Sequence, residues 1–414
     1  MNVPATVQGV LANGQQDGGI AICVGAASIK GRRPQQEDMV MVHAGTEAGP
    51  VSSSGEVFAS QGTHSGFSLV GVFDGHGGKR CSRYAAQNLP ENFHAALTEL
   101  KGGSLTDPDA VGPAMRLAYR LTHEDFARMA RGEGEARPKT RQRVQHALEK
   151  ARSFSGELSL SNGNGVSPLH RSFPAHGEDN SFAAVRNRML QQRMALGSRV
   201  WDDGSTALTC LIFGQRAFIA NAGDSRAVGC VNGKVVPLSV DHKPNLPAER
   251  NRIQNAGGTV TSMMGCHRVM GMLAMSRALG DVMIEQYLSQ VPDVVEQPLA
   301  ARDFLIMASD GLWDVVSNQE AVQIVNVEGN KANWNPDQLS NIANKVCMEA
   351  FRRGSMDNIS VLIVLAHPAG PASSYQRASD AAEGKGSTDL PSVGRGMNGR
   401  GAPRNGGPGA NGKG

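Results

Sequence analysis

The sequence predicts a mixed α and β domain, and three observations carry that prediction. Short apolar runs of strand length recur along the chain, and several adjoin a carboxylate beside a glycine or an asparagine. Other segments place apolar residues at helical spacing, with proline or glycine near their ends. The 414 residues are enough for one large domain of about 250 to 300 residues plus appendages, able to bury a sizeable core.

In chain order, the β-like run Met39-Val40-Met41-Val42 follows Glu37-Asp38. Leu69-Val70-Gly71-Val72-Phe73 then runs into Asp74-Gly75-His76-Gly77. After Pro113, Met115, Ala118, Leu121, Thr122 and Phe126 form a helical stripe. Ala217-Phe218-Ile219-Ala220 precedes Gly223-Asp224-Ser225-Arg226, and Pro247 to Ala256 reads as a short helix stopped by Gly257-Gly258. Phe304-Leu305-Ile306-Met307-Ala308 leads to Ser309-Asp310-Gly311. Across 336–353, Leu339, Ile342, Ala343, Val346, Cys347, Ala350 and Phe351 face one way, with Gly354 just beyond. That helix delivers Met356-Asp357-Asn358 to the last strand, Ile359 to Leu365. These helical stripes are core.

An isolated Asp-Gly is a common turn dipeptide. Repetition gives it weight, because four carboxylates sit at the ends of four apolar strands and Glu37-Asp38 supplies a fifth strand-end position. Gathered carboxylates repel one another and raise each other's pKa values unless a cation neutralises them. Oxygen donors without His or Cys partners select hard divalent ions, so magnesium or manganese is expected rather than zinc.

Nine stretches, in order, complete the picture: Arg33-Pro34-Gln35-Gln36-Glu37-Asp38, Val72 to Gly78, Asp203-Gly204-Ser205-Thr206-Ala207, Asn221 to Arg226, Asp241-His242-Lys243-Pro244, Glu249 to Gly258, Leu273 to Asp281, Ala308 to Val315, and Gly354 to Ser360. Together they resemble the metal-dependent serine/threonine phosphatases of the protein phosphatase 2C family over about residues 22 to 366. The resemblance implies an α+β fold of two packed antiparallel β-sheets flanked by helices, a four-layer α-β-β-α sandwich. It implies that Asp74 bridges two Mg2+ or Mn2+ ions, with Asp310 and Asp357 completing one site and Glu37 and the Gly75 carbonyl the other. A glycine suits that role because no side chain obstructs the ion. Asp224 resembles a residue that helps hold a third, weaker ion in many members, its alternative being a plain turn residue.

Two ions about 4 Å apart lower the pKa of a bridging water and aim it at phosphorus, so the chain needs no Ser or Cys nucleophile. The departing alkoxide needs a proton, and His76, beside the bridging carboxylate, is placed to act as general acid. Arg33 resembles the residue that grips the phosphate, for which a guanidinium offers paired donors and a permanent charge. Its neighbour Arg32 is distinguished only by spacing to Glu37-Asp38. The expected partners are phosphorylated protein substrates, contacted at the surface and by a flap-like region from about Asp241 to His267. A phosphatase-like scaffold without turnover and a hydrolase of small phosphate esters are the competing readings; the intact set Arg33, Glu37, Asp74, His76, Asp310 and Asp357 argues against the first.

The net charge of +3 is too small to argue for nucleic acid, and no apolar stretch reaches membrane-spanning length. Cys23, Cys210, Cys230 and Cys347 lie in apolar runs, as buried thiols do, and no Cys-x-x-Cys spacing supports zinc or redox chemistry. Met1-Asn2-Val3 lacks the glycine for myristoylation and no signal peptide is evident, so a monomer in the cytoplasm and/or nucleus is expected.

The domain organisation expected is a flexible segment over 1–21, a catalytic domain over 22–366 and a disordered Gly-rich tail over 367–414. Two insertions interrupt the domain. Residues 43–66 read as a long hairpin excursion. Residues 131–200 carry about twice as many Lys and Arg as Asp and Glu, and include Phe182, Val185, Met189 and Leu190 at helical spacing among Arg186, Arg188 and Arg193. That stretch is either a docking element for an acidic partner, with Ser153 and Ser172 as phosphorylation candidates, or a helix packed on the enzyme's edge with a solvated basic face.

Overall fold

The structure, a computed structural model, describes residues 4–12, 20–45, 51–54, 57–61, 67–101, 105, 108–133, 187, 191, 201–263 and 265–368. The chain divides into two units, Met1–Gly370 and Pro371–Gly414, and every described residue belongs to the first.

The first unit opens with strands β1 Ala5–Ala12, β2 Ile20–Ile29, β3 Met39–Ala44, β4 Val51–Ser54, β5 Val57–Gln61, β6 Ser68–Phe73 and β7 Gly75–His76. Helices α1 Arg80–Lys101 and α2 Pro108–Ala130 follow. Strands β8 Gly204–Ser205, β9 Ala207–Phe213, β10 Arg216–Ala222, β11 Arg226–Val231 and β12 Lys234–Pro237 lead to α3 Pro247–Asn255. Then come the hairpin β13 Val260–Met263 and β14 Cys266–Val269, and strands β15 Leu279–Gly280, β16 Asp293–Pro298 and β17 Phe304–Ala308. Helices α4 Asp310–Trp313, α5 Asn318–Lys331 and α6 Leu339–Arg352 precede the final strand, β18 Ile359–Pro368.

Seven strands form one sheet, in the order β12-β11-β17-β18-β2-β1-β4, and six form another, β16-β10-β9-β6-β3-β5. Alternation along the strands builds the layers. In β2, Ile22, Val24 and Ala26 enter the core between the sheets with Val70, Val72, Leu208 and Leu362. Its Cys23, Ala27 and Ile29 face instead the core formed with α4, α5 and α6. On the far side of the six-stranded sheet, Phe73 and Leu211 pack with Phe93, Met115 and Tyr119 of α1 and α2. The result is the α-β-β-α sandwich, with the helices expected over 336–353, after Pro113 and after Pro247 present as α6, α2 and α3.

Three expectations need correction. Part of the segment over 1–21 expected to be flexible is strand β1, paired antiparallel with both β2 and β4, with Val7 and Leu11 buried in the core between the sheets. The stretch 43–66 is more than a hairpin excursion, because β4 joins the seven-stranded sheet beside β1 while β5 joins the other sheet beside β3. That β3–β5 pair is parallel, so the six-stranded sheet is not purely antiparallel. The basic insertion lies outside the described residues apart from 131–133, 187 and 191, and the tail does so apart from 367 and 368.

Cys23, Cys210, Cys230 and Cys347 are buried, as expected, and so is Cys81. Among the described residues no helix is long and apolar enough to cross a membrane. The flap-like region is a small structure of its own: α3 and the β13–β14 hairpin close over a core of Ile253, Val269, Met270, Ala278 and Tyr287.

Candidate active site

Strand register brings the separated carboxylates to one edge of the sandwich. Met39 pairs with Phe73, so Asp38, before β3, and Asp74, after β6, share an end. Arg226 pairs with Ala308, and Ala308 with Val361, so Asp224, Asp310 and Asp357 share an end of the other sheet. Their fields overlap. Burial, then Asp38, Asp310, Asp224 and Asp357, push the Asp74 carboxyl well above the usual carboxylate range. Asp310 is pushed up to about 8 by burial and by Asp224, Asp314 and Asp357, with Lys243 opposing. Asp38 rises to about 6, chiefly through burial, although Ser309 and Ser360 donate hydrogen bonds to it at 2.9 and 2.7 Å.

The backbone around Glu37 and Gly75 is tightly held. Glu37 N–H donates to Asn358 Oδ1 at 2.9 Å, and its carbonyl accepts from Ser82 Oγ at 2.6 Å. A Cβ added to Gly75 would stand 2.3 Å from that same carbonyl, so only glycine fits there. Asp74 N–H donates to Thr206 Oγ1 at 3.0 Å, which ties the turn to the start of β9.

The chain's own cations lie among these acids. Arg33 Nη2 donates to Asp357 Oδ2 at 2.6 Å while its side chain stays 51% exposed. The guanidinium also feels Asp74 and Glu37. Arg32 turns away, donating to the Ser355 carbonyl at 2.6 Å and lying 4.6 Å above the Phe351 ring, which separates the roles of the two neighbours. Lys243 Nζ reaches Asp224 Oδ2 at 2.5 Å.

His76 has a partner the sequence reading did not assign. Its Nε2 lies 2.8 and 2.9 Å from the two carboxylate oxygens of Asp281, and its Nδ1 is buried without a hydrogen-bond partner. A three-stranded ribbon, β15-β8-β7, makes this contact by pairing His76 with Gly204 and Gly204 with Gly280. Gly204 is what lets the pair close, because a Cβ there would lie 2.2 Å from both His76 Nε2 and Asp281 Oδ2 and force them apart. Asp281 itself holds φ at 48°, the left-handed strain that functional positions tolerate. Burial works to lower the His76 pKa, but Asp281, with Asp224 and Glu37, outweighs it and the net shift is upward.

Asp38, Asp281, Lys243 and Gly204 are therefore the site residues to which the sequence reading gave no role. All four lie inside the recognised stretches; what was missing was their proximity in space.

The donor set suits a hard divalent cation. It consists of carboxylates and a carbonyl, it is strained by like charge, and Asp224 Oδ1 is buried with no partner. Among the described residues, no group of three or more His, Cys, Asp or Glu side chains is gathered closely enough to hold an ion as it stands.

Fold and site thus define an α-β-β-α sandwich with an acidic, cation-seeking cleft. Comparison with known proteins agrees: the family model for protein phosphatase 2C matches residues 131–359. The chain is 34% identical over 299 residues to Probable protein phosphatase 2C 59 of Arabidopsis thaliana, covering 72% of this chain and 69% of that one. It is 35% identical over 304 residues to Probable protein phosphatase 2C member 13, mitochondrial, of Oryza sativa subsp. japonica, covering 72% and 60%. Across the curated relatives it matches, the chain spans between 36% and 69% of their length. A phosphatase from a pathogenic strain of Toxoplasma gondii shares the fold at TM-score 0.52 and 21% identity, covering 88% of this chain and 96% of that one. A C. elegans sex determining protein does so at TM-score 0.55 and 23% identity, covering 82% and 64%. The chain belongs to the protein phosphatase 2C family.

Proposed function

We propose that this chain is a metal-dependent protein serine/threonine phosphatase that hydrolyses phosphoserine and phosphothreonine in proteins. The observation that carries the proposal is the meeting of a buried carboxylate cluster with an exposed guanidinium, Arg33, and a carboxylate-bound imidazole, His76. In this reading Glu37, Asp74, the Gly75 carbonyl, Asp310 and Asp357 hold two magnesium or manganese ions, and Asp224 helps hold a third. Bound there, the ions supply the Lewis acidity that activates water and offsets the charge of the phosphate.

The chain's side chains supply the rest. Arg33 leaves Asp357 to bind phosphoryl oxygens, for which its planar fork is suited. Asp281 holds the His76 ring at Nε2, and the upward pKa shift favours the doubly protonated imidazolium, which has a proton to give to the departing Ser or Thr oxygen. Asp281 positions the ring and does not touch the substrate. Lys243 offsets the charge of Asp224. Substrate choice falls to surface contacts and to the flap made by α3 and the β13–β14 hairpin.

A monomeric enzyme of the cytoplasm and/or nucleus completes the proposal; the free cysteines suit a reducing compartment. The test is phosphate release from a phosphothreonine peptide, with and without manganese, for wild type and Asp74→Asn. Manganese-dependent release that disappears in a folded Asp74→Asn supports the reading. No release by folded, manganese-loaded wild type refutes it.

A further inference from the structure

Beside the proposed phosphate site lies a groove of about 500 Å³. One wall is the outer face of α6, where Lys345, Met348, Glu349 and Arg352 follow one another at i, i+3, i+4 and i+7. The other is Arg32 stacked on Phe351. Met348 is 42% exposed here, and Met356, next to Asp357 on the adjoining loop, is 68% exposed. Asn344 also lines the groove, and its Oδ1 has no hydrogen-bond partner.

The charge of this groove is unevenly answered. Among the described residues Glu349 is its single lining acid and is held by Arg352 and Arg353, while Lys345 is held by Glu328. Those are exposed pairs that a ligand displaces at little cost. Arg32 contacts a carbonyl and a ring, and no carboxylate of the described residues pairs with it. A cation over an apolar floor of Phe351 and Met348 calls for a carboxylate carried on a chain that also covers the methionines.

Continuity with the site identifies that chain. Arg33 grips the loop at Asp357 and Arg32 grips the same loop at Ser355, two residues back. The groove therefore adjoins the proposed phosphate site through one short loop, so the chain that carries a phosphate to Arg33 is the one placed to enter it.

We propose that this groove is a substrate subsite that binds an acidic side chain of the phosphoprotein close in sequence to the phosphorylated one. The inference rests on the phosphatase reading above.

The test uses phosphothreonine peptides differing only in Glu, Gln or Lys at positions one to three on either side, with full-length manganese-loaded enzyme. Wild type prefers Glu over Lys at one of these positions by roughly tenfold in kcat/KM, as two surface charge contacts imply. Arg32→Gln abolishes that preference. The double variant Lys345→Glu/Arg352→Glu, which leaves the Asp357 loop untouched, diminishes or reverses it. Hydrolysis of p-nitrophenyl phosphate, which has no flanking residues, reports the phosphate site alone. Equal kcat/KM for all peptides alongside normal aryl phosphate turnover overturns the subsite only, as does a Glu preference that survives both variants. No turnover of any substrate overturns the subsite together with the phosphatase reading.

Discussion

Replacing Gly204 with alanine isolates what the β15-β8-β7 ribbon does for chemistry. The new methyl group would stand 2.2 Å from both His76 Nε2 and Asp281 Oδ2, so the two side chains must part while every proposed metal ligand remains. Overpacking of this kind costs about 1–3 kcal/mol of stability, which a marginally stable domain survives. The chemical loss is larger. A positioned general acid contributes about 100-fold to 10,000-fold, and a His76 ring without its Asp281 anchor forfeits most of it. We therefore expect kcat on a phosphothreonine peptide to fall about 100-fold, the lower end of that range. On p-nitrophenyl phosphate, whose phenolate leaves with little need of a proton, we expect a much smaller change. The assay is steady-state kinetics on both substrates at saturating manganese, with thermal unfolding to show that the variant is folded. Equal losses on the two substrates refute the assignment of His76 and Asp281, because a general defect in ion or phosphate binding does not discriminate between leaving groups.

Two further outcomes follow from the buried charges. Metal-free enzyme should lose stability as pH rises from about 4 to about 8, because Asp38 and Asp310, raised to about 6 and about 8, keep protons in the folded chain that the unfolded chain has released. Melting temperatures in chelator across that range test it, with manganese raising them most at the alkaline end; a flat or rising metal-free curve contradicts the clustering of these acids. Glu249, buried between Arg252 and Arg277, has its carboxyl held down at about 2 by the two guanidiniums against the effect of burial. Its contribution is present above about pH 4.5 and fades as pH falls toward 2, because the unfolded carboxylate takes up its proton first. Glu249→Gln should cost about 3 kcal/mol by leaving the buried Arg252 without a carboxylate and Arg277 with Asp293 alone, measured by denaturant unfolding at pH 7, and should flatten the acid limb; a cost near zero would show that water already screens the trio.

The line between sequence and tertiary structure runs through particular residues. Asp74, Asp224, Asp310 and Asp357 were legible because each adjoins a continuous apolar run, a local pattern that needs no knowledge of neighbours. The helix α6 was legible for the same reason, its stripe and its glycine stop lying within eighteen residues of chain. Strand β1 was not, because Ala5–Ala12 is broken by Gln8 and Gly9 and becomes a strand through pairing with β2 and β4. The crossing of β4 to the other sheet was hidden likewise: nothing in Val51–Ser54 says which edge is free to receive it.

By itself, then, the sequence determined the mixed class, the strand-end carboxylates from which a hard cation is expected and, through its ordered motifs, the family. Only the tertiary structure decided who stands next to whom. His76 meets Asp281 across 205 positions, Lys243 meets Asp224, and Arg33 rather than Arg32 meets Asp357. Hydrogen-bond and charge contacts act over a few ångströms of space, whereas a sequence reports separation along the chain. Strand register and the close approach allowed at Gly204 convert one into the other.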